Sequence, residues 1–315
     1  MDTPFDVIVV GELNVDLILN QIDSIPEIGE EKIAGQMNLT LGSSSAIFAS
    51  NLSSLGAGVS FIGKIGKDLF ADLVLKSLKA KQVDTSCIIQ DDALATGATI
   101  VLSFDNERAM VTHTGAMEML DISEIADEQL INAKHLHFSN YFLQPKLQPD
   151  IGKLFKRAKS LGLTTSFDTQ CDPAESWDID LPSILPYVDV FLPNESEALN
   201  LTKQNSISNA LDFLAKIGNI IVIKRGVNGS VSKSGQNIVE VPAFLNENVV
   251  DAIGAGDSFN AGFIFKFIRE CSIEQCQTFG NLTGAVSTTQ AGGTTAFTNL
   301  DDVLKIGRQM FKYDH

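Results

Sequence analysis

The segment VDAIGAGDSFNAGF, residues 250–263, decides how the rest of the sequence is interpreted. It begins as a loop and continues as an apolar stretch that predicts a helix over about 255–268. Gly254 and Gly256 lie at the start of that helix, where free backbone N–H groups attract anions and a missing Cβ lets a phosphate approach. Asp257 adds a carboxylate in the first helical turn, where the helix dipole favours its ionised form. An anion site beside a base is what transfer of a phosphoryl group to an alcohol needs.

The composition narrows the class of protein. Of its 315 residues, 44% are hydrophobic and 20% are charged, which is ordinary for a globular chain. Because 39 acidic residues outnumber 23 basic ones, the net charge of −16 argues against nucleic acid as the main partner. No apolar run reaches transmembrane length and no N-terminal signal pattern precedes the first strand, so we expect no membrane partner. The four cysteines are too few for a disulfide scaffold, which favours reduced thiols in the cytoplasm.

Two polar side chains follow the first predicted strand. Residues 5–10 form a β-branched apolar run that predicts this strand. Asn14 and Asp16 come next and alternate with apolar residues, so their side chains lie on one face. Because ligands of α/β sheets gather beyond the carboxyl ends of the strands, Asp16 is positioned to accept hydrogen bonds from two hydroxyls of a small molecule. A solvent-exposed strand edge explains the same alternation about equally well.

From residue 131 onward, predicted strands and helices alternate. The strands are expected at 135–138, 163–167, 188–192 and 219–223. This alternation is typical of a mostly parallel central sheet with helices on both faces. His135 and His137 share one strand without a neighbouring carboxylate or a third ligand, which favours core histidines over a metal site.

Polar residues after two of these strands have two interpretations each. Asp168 and Asp172 lie near a phosphate-bound metal or cap the next helix, and we favour Asp168 facing the cleft. Asn194 and Glu197 start a helix, either as a capping box or as a site for Mg²⁺, which prefers hard oxygen ligands and retained water. The turn from Gly226 to Gly229 is a weak signal by itself.

Two signatures carry a family resemblance. Residues 251–259 are similar to the C-terminal signature of the ribokinase-like (PfkB) carbohydrate kinases, close to D-T-x-G-A-G-D-x-F, with Ala252 in place of threonine. Residues 41–68 are similar to the N-terminal signature, roughly G-G-x-x-x-N-x-A…L-G…G-x-x-G-x-D. The second half of that signature fits, whereas Ser43 replaces the second glycine and Ile47 replaces an asparagine that helps bind sugar hydroxyls. The resemblance therefore implies an acceptor that is less polar near residue 47 or that binds in a shifted pose.

The fold that this resemblance implies is α/β and ribokinase-like, with one kinase domain over residues 1–315. Strands from about 12–40 and 96–115 are expected to form a small lid that covers the sugar and often supplies a dimer contact. The resemblance thus implies a sugar and ATP as ligands and a homodimer through the lid. Arg108, just after a predicted turn at 105–107, either reaches an anionic group of the acceptor or is a solvated turn residue.

The resemblance also implies roles for individual residues. Asp257 would be the base, and the N–H groups of Gly254, Ala255 and Gly256 would form an anion hole for the transferring phosphoryl group. The acceptor would be bound by Asn14, Asp16, Gly42 and Ser43, and the nucleotide by Asn194, Lys224, Gly226, Gly229, Asn281 and Gly284. Glu197 would hold Mg²⁺ through water, and Asp251 and Ile253 would border a monovalent cation such as K⁺.

The predicted function is ATP-dependent transfer of a phosphoryl group to a hydroxyl of a sugar-like molecule. A nucleoside kinase is one alternative, because Ile47 and the adjacent Phe48 suit an apolar base. A non-catalytic sugar or nucleotide sensor is another, although a sensor has no need to keep Asp257. An NAD-binding oxidoreductase is excluded, because the glycine pattern that starts at Gly254 lacks its third glycine and lies near the end of the chain.

Overall fold

A computed structural model describes residues 3–104 and 107–314 of the chain. The strands in this part are β1 (Phe5–Val10), β2 (Asn14–Asn20), β3 (Gln36–Leu41), β4 (Val59–Ile65), β5 (Ile88–Gln90), β6 (Gly97–Phe104), β7 (Glu107–His113), β8 (Ala133–Ser139), β9 (Thr164–Asp168), β10 (Val190–Phe191), β11 (Ile220–Lys224), β12 (Ser230–Ser234) and β13 (Asn237–Val241). The helices are α1 (Ser44–Ser54), α2 (Leu69–Ala80), α3 (Asp127–Leu130), α4 (Ile151–Ser160), α5 (Leu181–Ile184), α6 (Glu195–Thr202), α7 (Ile207–Leu214), α8 (Ala255–Phe267), α9 (Ile273–Ser287) and α10 (Leu300–Phe311).

Nine strands form one large sheet in the order β13-β12-β11-β10-β9-β8-β1-β4-β5. The pairs from β11 to β5 are parallel, and β12 and β13 add an antiparallel edge. Because parallel strands end at the same edge of a sheet, the polar residues that follow β1, β9, β10 and β11 converge there. The predicted mostly parallel α/β architecture is confirmed.

The large sheet is buried on both faces, as the sequence of β1 shows. Side chains of a strand alternate between faces. Val7 and Val9 pack into a core with α1, α2, α8, α9 and α10. Ile8 and Val10 pack into a second core with α3 to α7. This explains why the central strands read as continuous apolar runs in the sequence.

A second sheet of four strands has the order β3-β2-β6-β7 and lies within the two segments that the sequence assigned to a lid. Its inner face carries Asn14 and Asp16 of β2 together with Thr99 of β6, which pairs with Asp16. Its outer face carries apolar residues such as Leu39 and Ile100. Residues 105 and 106 of the predicted turn lie outside the described residues, and β7 begins at Glu107. That this sheet covers a bound sugar stays a prediction.

Element boundaries differ from the expected ones by a few residues. The strand expected at 188–192 shortens to β10, because only two of its residues pair with both neighbours. No helix in the described residues is both long and apolar enough to span a bilayer.

Candidate active site

The N-terminus of α8 has a backbone that requires glycine at its cap. Gly254 has φ of +73°, in the left-handed region that favours glycine. A Cβ on Gly254 would lie 2.8 Å from Cα of Gly293 and 3.1 Å from Cγ2 of Ile47. Ile47 is buried, and its side chain packs against the loop at Gly254 where α8 begins. Ile47 thus has a packing role beside Gly254, and an acceptor that is less polar near residue 47 or that binds in a shifted pose stays a prediction.

The free N–H groups at this helix start are fewer than the sequence implied. Ala255 donates its N–H to the carbonyl of Ala252 at 3.3 Å. Gly254 and Gly256 have N–H groups that meet no acceptor within residues 3–104 and 107–314. These two groups are available to an anion, whereas that of Ala255 is already engaged.

Asp257 lies in the first turn of α8 and is only 7% exposed. Its Oδ1 accepts a hydrogen bond from Nε2 of Gln170 at 2.9 Å. Burial raises the pKa of Asp257 well above its usual value, and the charge of Asp168 raises it further, while Lys224 and the Gln170 hydrogen bond oppose both. A carboxylate with a raised pKa binds a proton more firmly than an exposed one, which suits a general base near neutral pH.

Asp168 and Lys224 form a buried ion pair beneath this helix start. Nζ of Lys224 lies 2.6 Å from Oδ2 of Asp168, which also accepts from Nδ2 of Asn260 at 2.5 Å. Burial alone would lower the pKa of Lys224, but Asp168 and Glu197 raise it, so the lysine is charged. Nζ lies 3.7 Å from the point where a Cβ of Gly256 would be, which brings a positive charge close to the available N–H groups.

Asn194 and Glu197 form the capping box that the sequence offered as one interpretation. The side chain of Glu197 accepts from the backbone N–H of Asn194 at 2.8 Å and from Nδ2 of Asn194 at 2.6 Å. The N–H of Glu197 donates back to Oδ1 of Asn194 at 2.9 Å. Burial, with the charge of Asp168 as a second cause, raises the pKa of Glu197 to about 7. Capping does not remove Glu197 from the site, since it still lines the cavity described next.

A cavity of about 540 Å³ lies between the start of α8, α9 and the 226–229 turn. All residues predicted to bind nucleotide line it, namely Asn194, Lys224, Gly226, Gly229, Asn281 and Gly284, together with Gly254, Ala255, Gly256 and Asp257. Its far end is apolar, with Val227, Phe244 and Leu245. Asn281 is fixed there by hydrogen bonds from Nδ2 to the carbonyls of 241 and 242 at 3.2 and 3.1 Å. A cavity that is polar at one end and apolar at the other suits a phosphorylated aromatic ligand.

Asn14 and Asp16 form a tight polar group on the inner face of the small sheet. Nδ2 of Asn14 donates to Oδ1 of Asp16 at 3.1 Å and to Oγ1 of Thr99 at 2.9 Å. Burial raises the pKa of Asp16 to about 6. Gly42 faces this pair, because a Cβ there would lie 2.3 Å from Oδ1 of Asp16.

Ser43 serves mainly to start α1. It has φ of +70°, and its Oγ accepts from the N–H of Ala46 at 2.9 Å. The same hydroxyl donates to the carbonyl of Glu12 at 2.6 Å. The hydroxyl hydrogen of Ser43 is thus already donated within the protein and is not free to bind the molecule that would be phosphorylated.

A second cavity of about 660 Å³ lies against the inner face of the small sheet and contains Arg108. Arg108 is exposed, and no ion pair joins it to the side chains described over residues 3–104 and 108–314. Asp251 and Ile253 line the opposite wall. The carboxylate of Asp251 accepts from the N–H of Ile253 at 2.9 Å and from that of Gly292 at 3.0 Å. Asp251 therefore ties the loop that precedes α8, where a monovalent cation was predicted, to the loop at Gly292.

The remaining polar residues singled out in the sequence are accounted for by local structure. Asp172 accepts from the N–H groups of Ala174 and Trp177 at 2.9 and 2.7 Å, so it caps its own loop. His135 and His137 are buried, and both bond to Oγ of Ser166 at 2.7 Å. They are core histidines, as expected.

Four further polar residues were not predicted. Gln170, Asn260 and Glu12 surround Asp257 or its partner Asp168, and Asn51 joins α1 to α8. Gln170 carried a signal, because it follows Asp168 beyond the end of a strand. Asn260 and Asn51 carried none, since each is a polar residue inside an apolar helix whose partner is distant in sequence.

The chain matches the family profile described as "pfkB family carbohydrate kinase" over residues 5–299. An ATP-dependent ribose-1-phosphate kinase from Halopiger xanaduensis is 27% identical over 292 residues, which cover 92% of this chain and 94% of that protein. The structure of adenosine kinase from Sinorhizobium meliloti has a TM-score of 0.83 and 25% identity, and covers 97% of this chain and 99% of that one. A putative ribokinase II from E. coli, solved in complex with ATP and Mg²⁺, shares the fold with a TM-score of 0.84 at 22% identity, over 97% of this chain and 99% of that one. Since the family profile spans nearly the whole chain, this protein belongs to the pfkB family of carbohydrate kinases.

Proposed function

We propose that this protein transfers the γ-phosphoryl group of ATP to a hydroxyl of a sugar or sugar-like molecule, with Asp257 as general base. The observation that carries the proposal is the position of Asp257: it lies in the first turn of α8, lines the nucleotide cavity and is surrounded by buried polar groups. The named ATP-dependent sugar-phosphate kinase among its relatives supports ATP as the donor.

The reaction involves one proton transfer and one exchange of bonds at phosphorus. Asp257 accepts the proton of the acceptor hydroxyl while that oxygen forms a bond to the γ-phosphorus. The bond between the γ-phosphorus and the β,γ-bridging oxygen breaks, and ADP leaves with that oxygen. The N–H groups of Gly254 and Gly256 stabilise charge on the transferring group, and Lys224 adds a positive charge beneath them.

The donor set fits Mg²⁺ held through water. Glu197 is buried on the cavity wall, and its pKa is raised to about 7 by burial and by Asp168, so a nearby cation would stabilise its ionised form. Mg²⁺ commonly keeps several waters and is held by one or two carboxylates together with substrate phosphates, which suits a single buried carboxylate such as Glu197. Bound Mg²⁺ neutralises negative charge on the β- and γ-phosphate oxygens. Asp251 and Ile253 would border a K⁺ site.

Acceptor binding is assigned to Asn14, Asp16 and Gly42, with Ser43 shaping the adjacent helix start. Arg108, an exposed cation that lines the second cavity, is assigned to an anionic group on the acceptor. A nucleoside remains the second candidate acceptor, favoured by the adenosine kinase of equal fold. A sugar is preferred, because the family profile and the ribose-1-phosphate kinase relative are both described by carbohydrate acceptors.

We also propose a homodimer through the outer face of the small sheet. Near the large sheet this face is buried against α2, where Val15 and Leu41 join the core. Farther out it is exposed, with Met37, Leu39 and Val111 68%, 46% and 69% exposed. An apolar patch of this kind on one side of a sheet is typical of an interface.

The test is ADP release with Mg·ATP against a panel of sugars, sugar phosphates, sugar acids and nucleosides, measured for wild type and Asp257→Asn. We expect turnover with one class of acceptor and a loss of kcat by about a hundredfold or more in the variant, because it can no longer accept the proton. Asp301→Asn is the matched control, since Asp301 is an exposed carboxylate in the first turn of α10. Full turnover in Asp257→Asn would show that another group is the base, and binding of ATP without any turnover would favour a sensor.

A further inference from the structure

Gln170 is the side chain that joins the proposed base to the neighbouring carboxylate. Its Nε2 lies 2.9 Å from Oδ1 of Asp257 and 3.0 Å from Oδ2 of Asp168. An amide nitrogen carries two hydrogens, so one Gln170 side chain donates to both carboxylates at once. Both acceptors are buried, with Asp257 7% and Asp168 0% exposed. Donation from this uncharged amide favours the ionised form of Asp257 without adding a charge.

The backbone of Gln170 is held in an unfavourable conformation. Its φ is +59°, in the left-handed region that residues with a Cβ rarely adopt. The N–H of Gln170 donates to Oδ1 of Asp168 at 3.3 Å, so Asp168 contacts both the backbone and the side chain of Gln170. Strained residues of this kind are concentrated at functional sites, where the surrounding structure holds them in place.

The charged groups around Asp257 are mostly negative, so few of them stabilise its ionised form. Asp168 at the end of β9 and Glu12 after β1 act on it as negative charges, and Lys224 of β11 acts as a positive one. Glu197 of α6 interacts with the same Asp168 and Lys224. One cation therefore serves several buried carboxylates, and Gln170 is the described side chain that donates a hydrogen bond directly to Asp257.

We propose that Gln170 is a positioning residue for phosphoryl transfer, which holds the Asp257 carboxylate ionised and correctly oriented by sharing one amide between Asp257 and Asp168. The inference rests on the proposed function, in which Asp257 is the base. Gln170 also lines the cavity assigned to ATP, and the role proposed for it is exerted through Asp257.

Loss of this amide has a consequence that a purely structural residue would not produce. The amide donates to the ionised form of Asp257, so its removal raises the pKa of Asp257. Activity needs the ionised form and therefore rises with pH through this pKa. The acid limb of the kcat/KM profile should move to higher pH, and activity should be partly regained there.

The experiment compares Gln170→Gly and Gln170→Glu with the control Gln82→Gly. Gln82 has nearly the same backbone, with φ of +61°, and is exposed beyond α2, so this control isolates the release of backbone strain. We expect kcat of Gln170→Gly to fall about tenfold at neutral pH and the acid limb of its kcat/KM profile to move up by about one pH unit. Gln170→Glu adds a carboxylate beside Asp257 and should move the acid limb of the kcat/KM profile to still higher pH. Because this variant keeps the length of the side chain, it also tests the inference if Gln170→Gly fails to fold. Gln82→Gly should match wild type.

Two results would overturn the inference. An unchanged kcat and pH profile in both Gln170 variants would show that the amide does not act on the base. A fall in kcat that is equal at every pH would show a structural role only. Asp257→Asn separates this inference from the proposed function: if that variant is inactive while the Gln170 variants behave as wild type, the base assignment stands and the role of Gln170 is wrong.

Discussion

Gly42 illustrates how the absence of one side chain shapes the acceptor site. A methyl group there would lie 2.3 Å from Oδ1 and 2.6 Å from Cγ of Asp16, and 2.9 Å from Oδ1 of Asn14. These distances are too short for any real Cβ contact, so Asp16 would have to move. Because Asn14 holds Asp16 by a hydrogen bond, movement of one side chain would disturb both.

We predict that Gly42→Ala weakens binding of the acceptor and leaves binding of ATP unchanged. Displacement of Asp16 removes a hydrogen bond to a charged group, worth about 1.5–3 kcal/mol, so KM for the acceptor should rise roughly tenfold or more. Steady-state kinetics with each substrate varied in turn measures both constants. Gly58→Ala is the control, since a Cβ there would make only ordinary contacts, the nearest at 3.5 Å. An unchanged acceptor KM in Gly42→Ala would remove Asp16 from the acceptor site.

At the scale of elements, the site depends on how α1 is fixed against α8. Asn51 of α1 is fully buried, and its Nδ2 donates to Oγ of Ser258 and to the carbonyl of Gly293, both at 2.9 Å. One side chain thus joins α1, the first turn of α8 and the loop beside Gly254. Ile47, one turn earlier on α1, packs against the same two glycines. The geometry of the anion site is therefore set partly from α1.

We predict that Asn51→Asp destabilises the protein by about 3 kcal/mol or more, because it replaces two donors by a buried charge without a partner. Denaturant unfolding at neutral pH measures the change in free energy of unfolding. Asn200→Asp is the matched control, because Asn200 is exposed on α6 and its side chain donates to Oγ of Ser196 at 3.3 Å, so its effect should stay within about 0.5 kcal/mol. Equal stabilities of the two variants would mean that Asn51 does not hold the helices together.

For the whole molecule, the small sheet has two faces of opposite character. The inner face runs from Asp16 outward to Arg108 and is polar along most of its length. The outer face is apolar, buried against α2 near the main domain and exposed at its far end. Alternation along each strand gives both faces from one sequence. A sheet that covers an acceptor on one side and meets a second copy on the other would link catalysis to assembly.

We predict a particle of two chains in solution, each of 34.0 kDa, that Val111→Lys converts to a single chain. Val111 is 69% exposed on the outer face, and a charge there should oppose burial against a second copy. Met110→Lys is the control, because Met110 is 64% exposed on the inner face of the same strand. Light scattering coupled to size-exclusion chromatography gives the mass. A wild-type protein of one chain at every concentration would refute the dimer.

The sequence by itself determined the main helices and strands, and those candidate site residues that lie close together along the chain. Apolar runs and their alternation predicted β1, the parallel sheet and α8, because burial on one or two faces leaves a periodic pattern. The glycines beside Asp257, and Asn194 with Glu197, were recognisable since their partners lie within a few positions. Asn14 and Asp16 were found for the same reason.

Only the tertiary structure decided which distant residues meet. Gln170 and Asp257 are 87 positions apart, and Asn51 and Gly293 are 242 apart, so no local pattern relates them. It also decided that Ala255 uses its N–H internally and that Ile47 supports the loop at Gly254. Hydrogen bonds and packing between remote segments depend on how the sheet and helices assemble, and local periodicity reports only which side of an element is buried.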